Sequence, residues 1–274
     1  MIICEKHKFV FIHIPKCAGT SIRGILEPFD SRAGKYKGRV DHHPELGDLD
    51  YVHIPLFTLR DHFRPEFETV KQYWSFAVMR DPHARFASSV SQNLNKYSEK
   101  PIQKRSLQDI DLCIREIIDF LSDNGMGQIL LPPEYIHFQR QVDFIELEGE
   151  RVVTSLYAIN QVDKLLLDVS RHTGNRLSDF APDGTMTTAN QSKVFRSDLL
   201  RRLIESSRPA TEKVRNILPE DFKQKIRDQV YVPRDQRMRE LFAADHIRAF
   251  IRDYYAEDIR LYNGMRGDNR SSLL

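Results

Sequence analysis

A chain of 274 residues, 41% of them hydrophobic and 29% charged, can bury a complete core and is not a disordered or low-complexity sequence. Its net charge of +2 is too balanced to predict nucleic-acid binding from charge alone, and no nucleic-acid partner is expected, so an anionic ligand must be held by charges gathered locally. The three cysteines, Cys4, Cys17 and Cys113, are too few and too widely spaced for a disulfide framework, and no apolar stretch approaches the roughly 20 residues that span a bilayer.

The first six residues lack the apolar core of a secretory signal, which leads us to expect a reducing, cytoplasmic setting. Residues 9–14 (FVFIHI) read as a short strand that runs into a tight loop, Pro-Lys-Cys-Ala-Gly-Thr-Ser, at 15–21. In that loop Gly19 lets the backbone turn and approach an anion, Thr20 and Ser21 place hydroxyls where a helix begins, and Lys16 supplies a point charge. Cys17 and Ala18 contribute backbone. The loop suits a phosphate; the plain alternative is a helix start with Thr20 or Ser21 as N-cap. An ordinary P-loop, G-x-x-x-x-G-K-[ST], carries its lysine after the second glycine, whereas here the lysine comes first.

Pro28 ends the helix after this loop, and residues 30–50, rich in Gly, Lys, Arg, Asp and His, read as a loop. Residues 51–54 (YVHI) read as a second strand, followed by a helical or irregular piece through Pro65. Residues 75–79 form a third strand, and Pro82 fits the first turn of a helix running to about Asn95. An amphipathic helix covers 106–122 and stops at Asn124-Gly125. Residues 135–142 read as a helix and 152–159 as a strand; Asn160 caps a helix reaching His172, with Gly174 at its C-cap. A long helix over 243–262 closes a mostly helical last third. Strands alternating with helices indicate one α/β domain over residues 1–274, a parallel sheet with helices on both faces.

Residues 14–21 (IPKCAGTS) resemble the phosphosulfate-binding loop of the sulfotransferases, in particular the carbohydrate branch, whose loop commonly reads Ile-Pro-Lys-x-x-Gly-Thr-Ser. Residues 73–88 (YWSFAVMRDPHARFAS) resemble the second family element, and residues 253–262 (DYYAEDIRLY) the last helix, whose role is packing. The resemblance implies a P-loop-like three-layer fold and the donor 3′-phosphoadenosine 5′-phosphosulfate (PAPS), with adenosine 3′,5′-bisphosphate as product and no metal required. It implies that Lys16, Cys17, Ala18, Gly19, Thr20 and Ser21 hold the phosphosulfate and that Arg80 and Ser88 bind the 3′-phosphate. A salt bridge to Asp81 or a neighbouring carboxylate is the plainer reading of Arg80, and Arg85, an arginine on a helix, reads as a packing or ion-pair residue. Thr188, Asn190, Ser192 and Lys193 resemble a late loop that closes over the nucleotide. The implied acceptor is a hydroxyl, on a carbohydrate or glycoconjugate.

Sulfuryl transfer needs a group to follow charge onto the leaving phosphate and a group to take the acceptor proton. Lys16 suits the first task. For the second, a histidine has the right basicity, and His53, at the expected carboxyl end of the second strand and in the family's His-Ile-Pro context, is the candidate. A hydrogen-bonded structural histidine is the alternative. His13 is placed to support the loop. His42 and His43 with Glu45, and His62, are competitors whose plain reading is a solvated loop rather than a metal cluster. Arg32, Lys35, Lys37 and Arg39 with Tyr36 offer a contact for an acidic saccharide, against a solvated charged loop. The competing functions are a P-loop kinase or nucleotide hydrolase, disfavoured by the missing lysine after Gly19, and a non-catalytic nucleotide-binding relative.

Overall fold

The computed structural model describes residues 1–38, 40–98, 100, 102, 105–175, 177, 194–195, 231–232 and 236–271. Arg39, Thr188, Asn190, Ser192 and Lys193 lie outside the described residues. Strand β1 (Ile2–Cys4) pairs antiparallel with β2 (Phe9–Ile12), which feeds α1 (Gly19–Leu26). A hairpin of β3 (Val40–His43) and β4 (Gly47–Asp50) precedes α2 (Leu56–His62) and α3 (Arg64–Gln72). Then come β5 (Trp74–Met79), α4 (Pro82–Tyr97) and α5 (Leu107–Asn124). A small hairpin of β6 (Glu146–Leu147) and β7 (Glu150–Arg151) leads to β8 (Ser155–Ala158) and α6 (Val162–Thr173).

The chain divides into two units, Met1–Met186 with Asp245–Leu274, and Thr187–Ala244. The second contains β9 (Val194–Phe195) paired antiparallel with β10 (Tyr231–Val232), and α7 (Gln236–Phe242). The first ends in α8 (Asp245–Tyr254) and α9 (Ala256–Ser271).

The central sheet has the order β1-β2-β5-β8, three parallel strands with the antiparallel β1 at one edge. Every residue of β2 is buried, as is every residue of β5 after Trp74. Successive strand residues face opposite sides, so this sheet is covered on both faces where those strands lie, as the uniformly apolar sequence of a parallel sheet requires. Phe9, Phe11 and Phe76 pack ring against ring at 5.7–5.8 Å to form its centre.

Local chemistry accounts for the strongest helices. Ser106 accepts from the Asp109 amide and Asp109 reaches back to the Ser106 amide, a capping box that starts α5 where expected, and Gly125 ends it. Asp81 caps α4 by accepting from the Ala84 amide, with Pro82 in the first turn. Gly174 closes α6 with a left-handed backbone, φ 71°.

Four expectations change. Residues 51–54 are a turn, not a strand: the Asp50 carboxylate accepts from the Val52 amide at 2.9 Å, an Asx turn that bends the chain away from the sheet. Part of residues 30–50 is the β3–β4 hairpin rather than loop throughout. Residues 135–142 give the short 3-10 turn Ile136–Phe138 and the start of another, Val142–Phe144, because Gln139 leaves the helical backbone region (φ −49°, ψ 134°); its side chain is tied to distant backbone, Oε1 accepting from the Leu131 amide and Nε2 donating to the Ile129 carbonyl. The closing helix is broken between Tyr254 and Ala256. Buried Tyr255 donates its hydroxyl to the Phe138 carbonyl, and fully buried Asp258 accepts from the Gln141 and Val142 amides at 2.9 and 2.8 Å. These anchors fix both sides of the break to one turn of the sheet's far connection. Replacing Asp258 by Ala leaves two buried amides without their acceptor. We expect a loss of about 2–4 kcal/mol of stability, read from the urea midpoint, with Asp258→Asn less damaging; an unchanged midpoint would show that the amides find other partners.

Candidate active site

The strand register places the site. Phe11 pairs with Phe76 and Ile12 with Ala77, so the chain leaving β2 runs beside the chain leaving β5 at the carboxyl edge of the sheet, where open α/β folds bind ligands. There the Arg80 guanidinium donates to the Lys16 carbonyl at 3.4 Å. The ladder stops at Met79, but the side chain of Gln141 continues it. Its Oε1 accepts from the Arg80 amide and its Nε2 donates to the Arg80 carbonyl, both at 2.9 Å. Asp81 caps α4 and is not the partner of Arg80.

The loop from β2 to α1 holds left-handed backbone at two non-glycine residues, Lys16 (φ 63°) and Ala18 (φ 61°), each costing about 1–2 kcal/mol. Ala18 is the N-cap of α1 and offers no side-chain cap, so neither Thr20 nor Ser21 plays that part. The first helical bonds run from the Ser21 and Ile22 amides to the Ala18 carbonyl; amides earlier in the turn have no place in the helix ladder. Gly19 is required for another reason than the one its sequence context suggests. It has no positive φ; a Cβ there would fall on the imidazole of His13, far inside van der Waals contact. The buried Cys17 thiol donates to Pro15 O and Gln141 Oε1, and burial pushes it up to about 12, so it packs the loop as a neutral thiol. Lys16 Nζ donates to Gln92 Oε1 on α4 at 3.4 Å, Thr20 is exposed, and Ser88 is buried on the inner face of α4.

His53 reaches this edge from a turn rather than a strand. Its amide donates to Asp50 O at 3.1 Å and its Nδ1 lies 3.2 Å from Asp50 Oδ2. Burial lowers the His53 pKa and Asp50 offsets only part of the effect, so the ring is neutral near pH 7 and donates its Nδ1 proton to the carboxylate, leaving Nε2 as a base. Burial works against the Asp50 carboxylate too, yet the His53 ring and the Val52 amide hold it below its ordinary range. The His13 ring stands 4.6 Å from His53 edge-on and stacks on Phe11 at 5.9 Å, beneath Gly19. Burial and His53 keep its pKa well below the ordinary value.

The remaining candidates have structural partners. Arg85 is buried, donates to Gln139 O and lies over the Tyr255 ring. Arg32, Lys35 and Lys37 pair with Glu5, Glu66 and Glu27, and Tyr36 is fully buried, so that loop does not offer a stacking platform through Tyr36. His43 Nδ1 accepts from the Glu45 and Leu46 amides, and His62 pairs with Glu45 at 2.8 Å.

Sequence reasoning missed Asp50, Gln141 and His137, whose ring lies 5.5 Å from that of His53. Asp50 stands three residues before His53, a spacing that is legible once residues 51–54 are read as a turn. Gln141 and His137 carry no local signal; the fold delivers them.

A family model described as Sulfotransferase family matches residues 1–263. No curated protein and no solved structure matches the chain.

Gly19→Ala adds a residue with about 1 kcal/mol better helix propensity, but overpacking against His13 costs about 1–3 kcal/mol. The substitution is therefore expected to lower the urea midpoint, and Gly19→Ala combined with His13→Ala should recover part of what the two single changes predict by addition. Strict additivity would mean that the ring and the glycine do not meet.

Proposed function

The chain belongs to the sulfotransferase family, and on that premise we propose that it moves the sulfonate of PAPS to a hydroxyl group, on a carbohydrate or glycoconjugate, within a P-loop-like three-layer fold. The observation that carries this reading is the meeting of two strand ends, Arg80 donating to Lys16 O, with the hydrogen-bonded Asp50–His53 pair against the His13 ring that underlies the loop. Residues 16–21 would cradle the 5′-phosphosulfate with backbone amides and the Lys16 ammonium. Arg80 and Ser88 would take the 3′-phosphate. The carbohydrate acceptor rests on the likeness of residues 14–21 to the loop of that branch.

In the reaction the acceptor oxygen attacks sulfur and the bond from sulfur to the bridging phosphate oxygen breaks. The acceptor proton passes to His53 Nε2, and adenosine 3′,5′-bisphosphate leaves with the electron pair of the broken bond while Lys16 stabilises the charge on its bridging oxygen. Asp50 orients the imidazole and steadies the imidazolium that forms. Lys16 needs no metal to do this.

Adenosine 3′,5′-bisphosphate without magnesium is expected to raise the melting temperature, by the equivalent of about 2.7 kcal/mol at a hundredfold excess over Kd. ATP should do much less, and stabilisation by ATP only with magnesium would favour a kinase instead. Arg80→Ala should weaken this shift.

His53→Ala is expected to lower kcat roughly 10²–10⁴-fold with donor affinity kept. Asp50 raises the His53 pKa, so Asp50→Asn should move the acid limb of the pH profile to still lower pH while slowing turnover, since the ring becomes less basic. A limb that stays in place would remove Asp50 from the mechanism.

A further inference from the structure

Beside the His53–Asp50 pair stands a third group that the transfer reaction does not use. His137, in the 3-10 turn Ile136–Phe138, sets its ring 5.5 Å from that of His53, and one donor atom each from Asp50, His53 and His137 lies within 4.8 Å of the others. The Nδ1 of His137 is buried without a hydrogen-bond partner. Buried polar atoms are nearly always paired, so the fold leaves this nitrogen unexplained. We propose that Asp50, His53 and His137 form a binding site for a zinc-class divalent cation, and that its occupation switches the enzyme off.

The donor set selects the ion. Two imidazoles and a carboxylate suit zinc and its neighbours, whereas magnesium and calcium prefer oxygen alone. Three protein ligands with a fourth position open to water is a common zinc arrangement. The donors sit on fixed backbone: His53 N is tied to Asp50 O, and Ser89 Oγ donates to His137 O at 2.7 Å. Burial, with His53 and Lys16 adding to it, holds the His137 pKa down to about 3, so its lone pair is not lost to a proton at neutral pH. The Lys16 ammonium, which also lowers the pKa of both rings, disfavours a second cation here, so we expect the ion to be removable by a chelator. Ligation through either nitrogen of His53 removes the basicity that proton transfer needs.

This inference rests on His53 acting as the base, but the binding itself does not. Chelator-treated protein titrated with Zn²⁺ should bind one equivalent by calorimetry, and Co²⁺ should give the visible absorption of a low-coordinate site. His137→Gln should weaken binding at least about tenfold, the low end of what even an outer-shell partner costs, and Asp50→Asn should weaken it as well. His42→Ala with His62→Ala should leave it unchanged. Turnover of the unaltered enzyme should fall with Zn²⁺ and return with EDTA, while His137→Gln turns over and resists zinc. Unchanged zinc affinity in a folded His137→Gln, loss of binding on replacing His42 and His62, or no saturable binding and no cobalt spectrum in the unaltered protein would each overturn the site. If zinc binds through His137 but adenosine 3′,5′-bisphosphate gives no thermal shift, the metal site stands and the donor reading fails.

Discussion

The carboxamide of Gln141 is the fixed point of the candidate site. Two strand ends carry the groups that meet there, and strand ends are where a sheet's own hydrogen bonds run out. By accepting from and donating to the backbone of Arg80, Gln141 supplies in side-chain form the rung that a further strand residue would have made, and it also accepts from the Cys17 thiol. Its own backbone is held by Asp258, whose carboxylate receives the amides of Gln141 and Val142. The chain of dependence runs from α9 through a buried turn to the edge of the sheet. Gln141, Asp258 and Cys17 are buried and only Arg80 is half-buried, so loss of one of the buried members leaves polar groups unsatisfied rather than merely unpaired.

This explains a division of labour among the charges. A nearly neutral chain must gather cations where it needs them, and several arginines among the described residues are occupied elsewhere. Arg23 donates to the carbonyls of Met1 and Tyr36, Arg140 is tied to Asp143, and Arg85 serves Gln139 O. Arg80 and Arg85 lie within one sequence motif, yet the first ends up half-buried at the sheet edge and the second is sealed in the core. The difference is one of position on the helix that begins at Pro82. Arg80 precedes the helix and follows the strand outward, while Arg85 lies on the helix face turned to Gln139 and Tyr255.

The sequence made legible what depends on neighbours along the chain. The apolar runs of β2 and β5, the Asp81-Pro82 start of α4, the capping box of α5 and the Gly174 end of α6 are all written within a few residues. What it hid depends on distant partners or on a competition between equally local signals. The residues 51–54 have the composition of a strand, and the Asx turn made by Asp50 overrides it. The β3–β4 hairpin buries little beyond Leu49 and Asp50, so it shows no alternation to read. Lys16, Arg80 and His53 could be picked out by residue type and context, whereas His137 and Gln141 lie more than fifty residues from each of these groups and only the fold brings them near.

Gly19 shows how a correct residue can be singled out for an incomplete reason. A glycine in a phosphate-type loop suggests positive φ, yet the left-handed positions are Lys16 and Ala18, where a side chain makes that conformation costly. Strain of this kind persists only where the surroundings determine it several times over. Here they do: His13 fills the space that a side chain on Gly19 would need, Cys17 is tied to Pro15 and Gln141, and Arg80 holds the Lys16 carbonyl. The free energy is spent in folding rather than when the ligand arrives. A loop already bent loses less freedom on binding than one that must bend, and its amides need not reorganise as charge shifts onto the leaving group. If the loop holds the anion proposed for it, the packing beneath the loop, not any single charge in it, would set how well it does so.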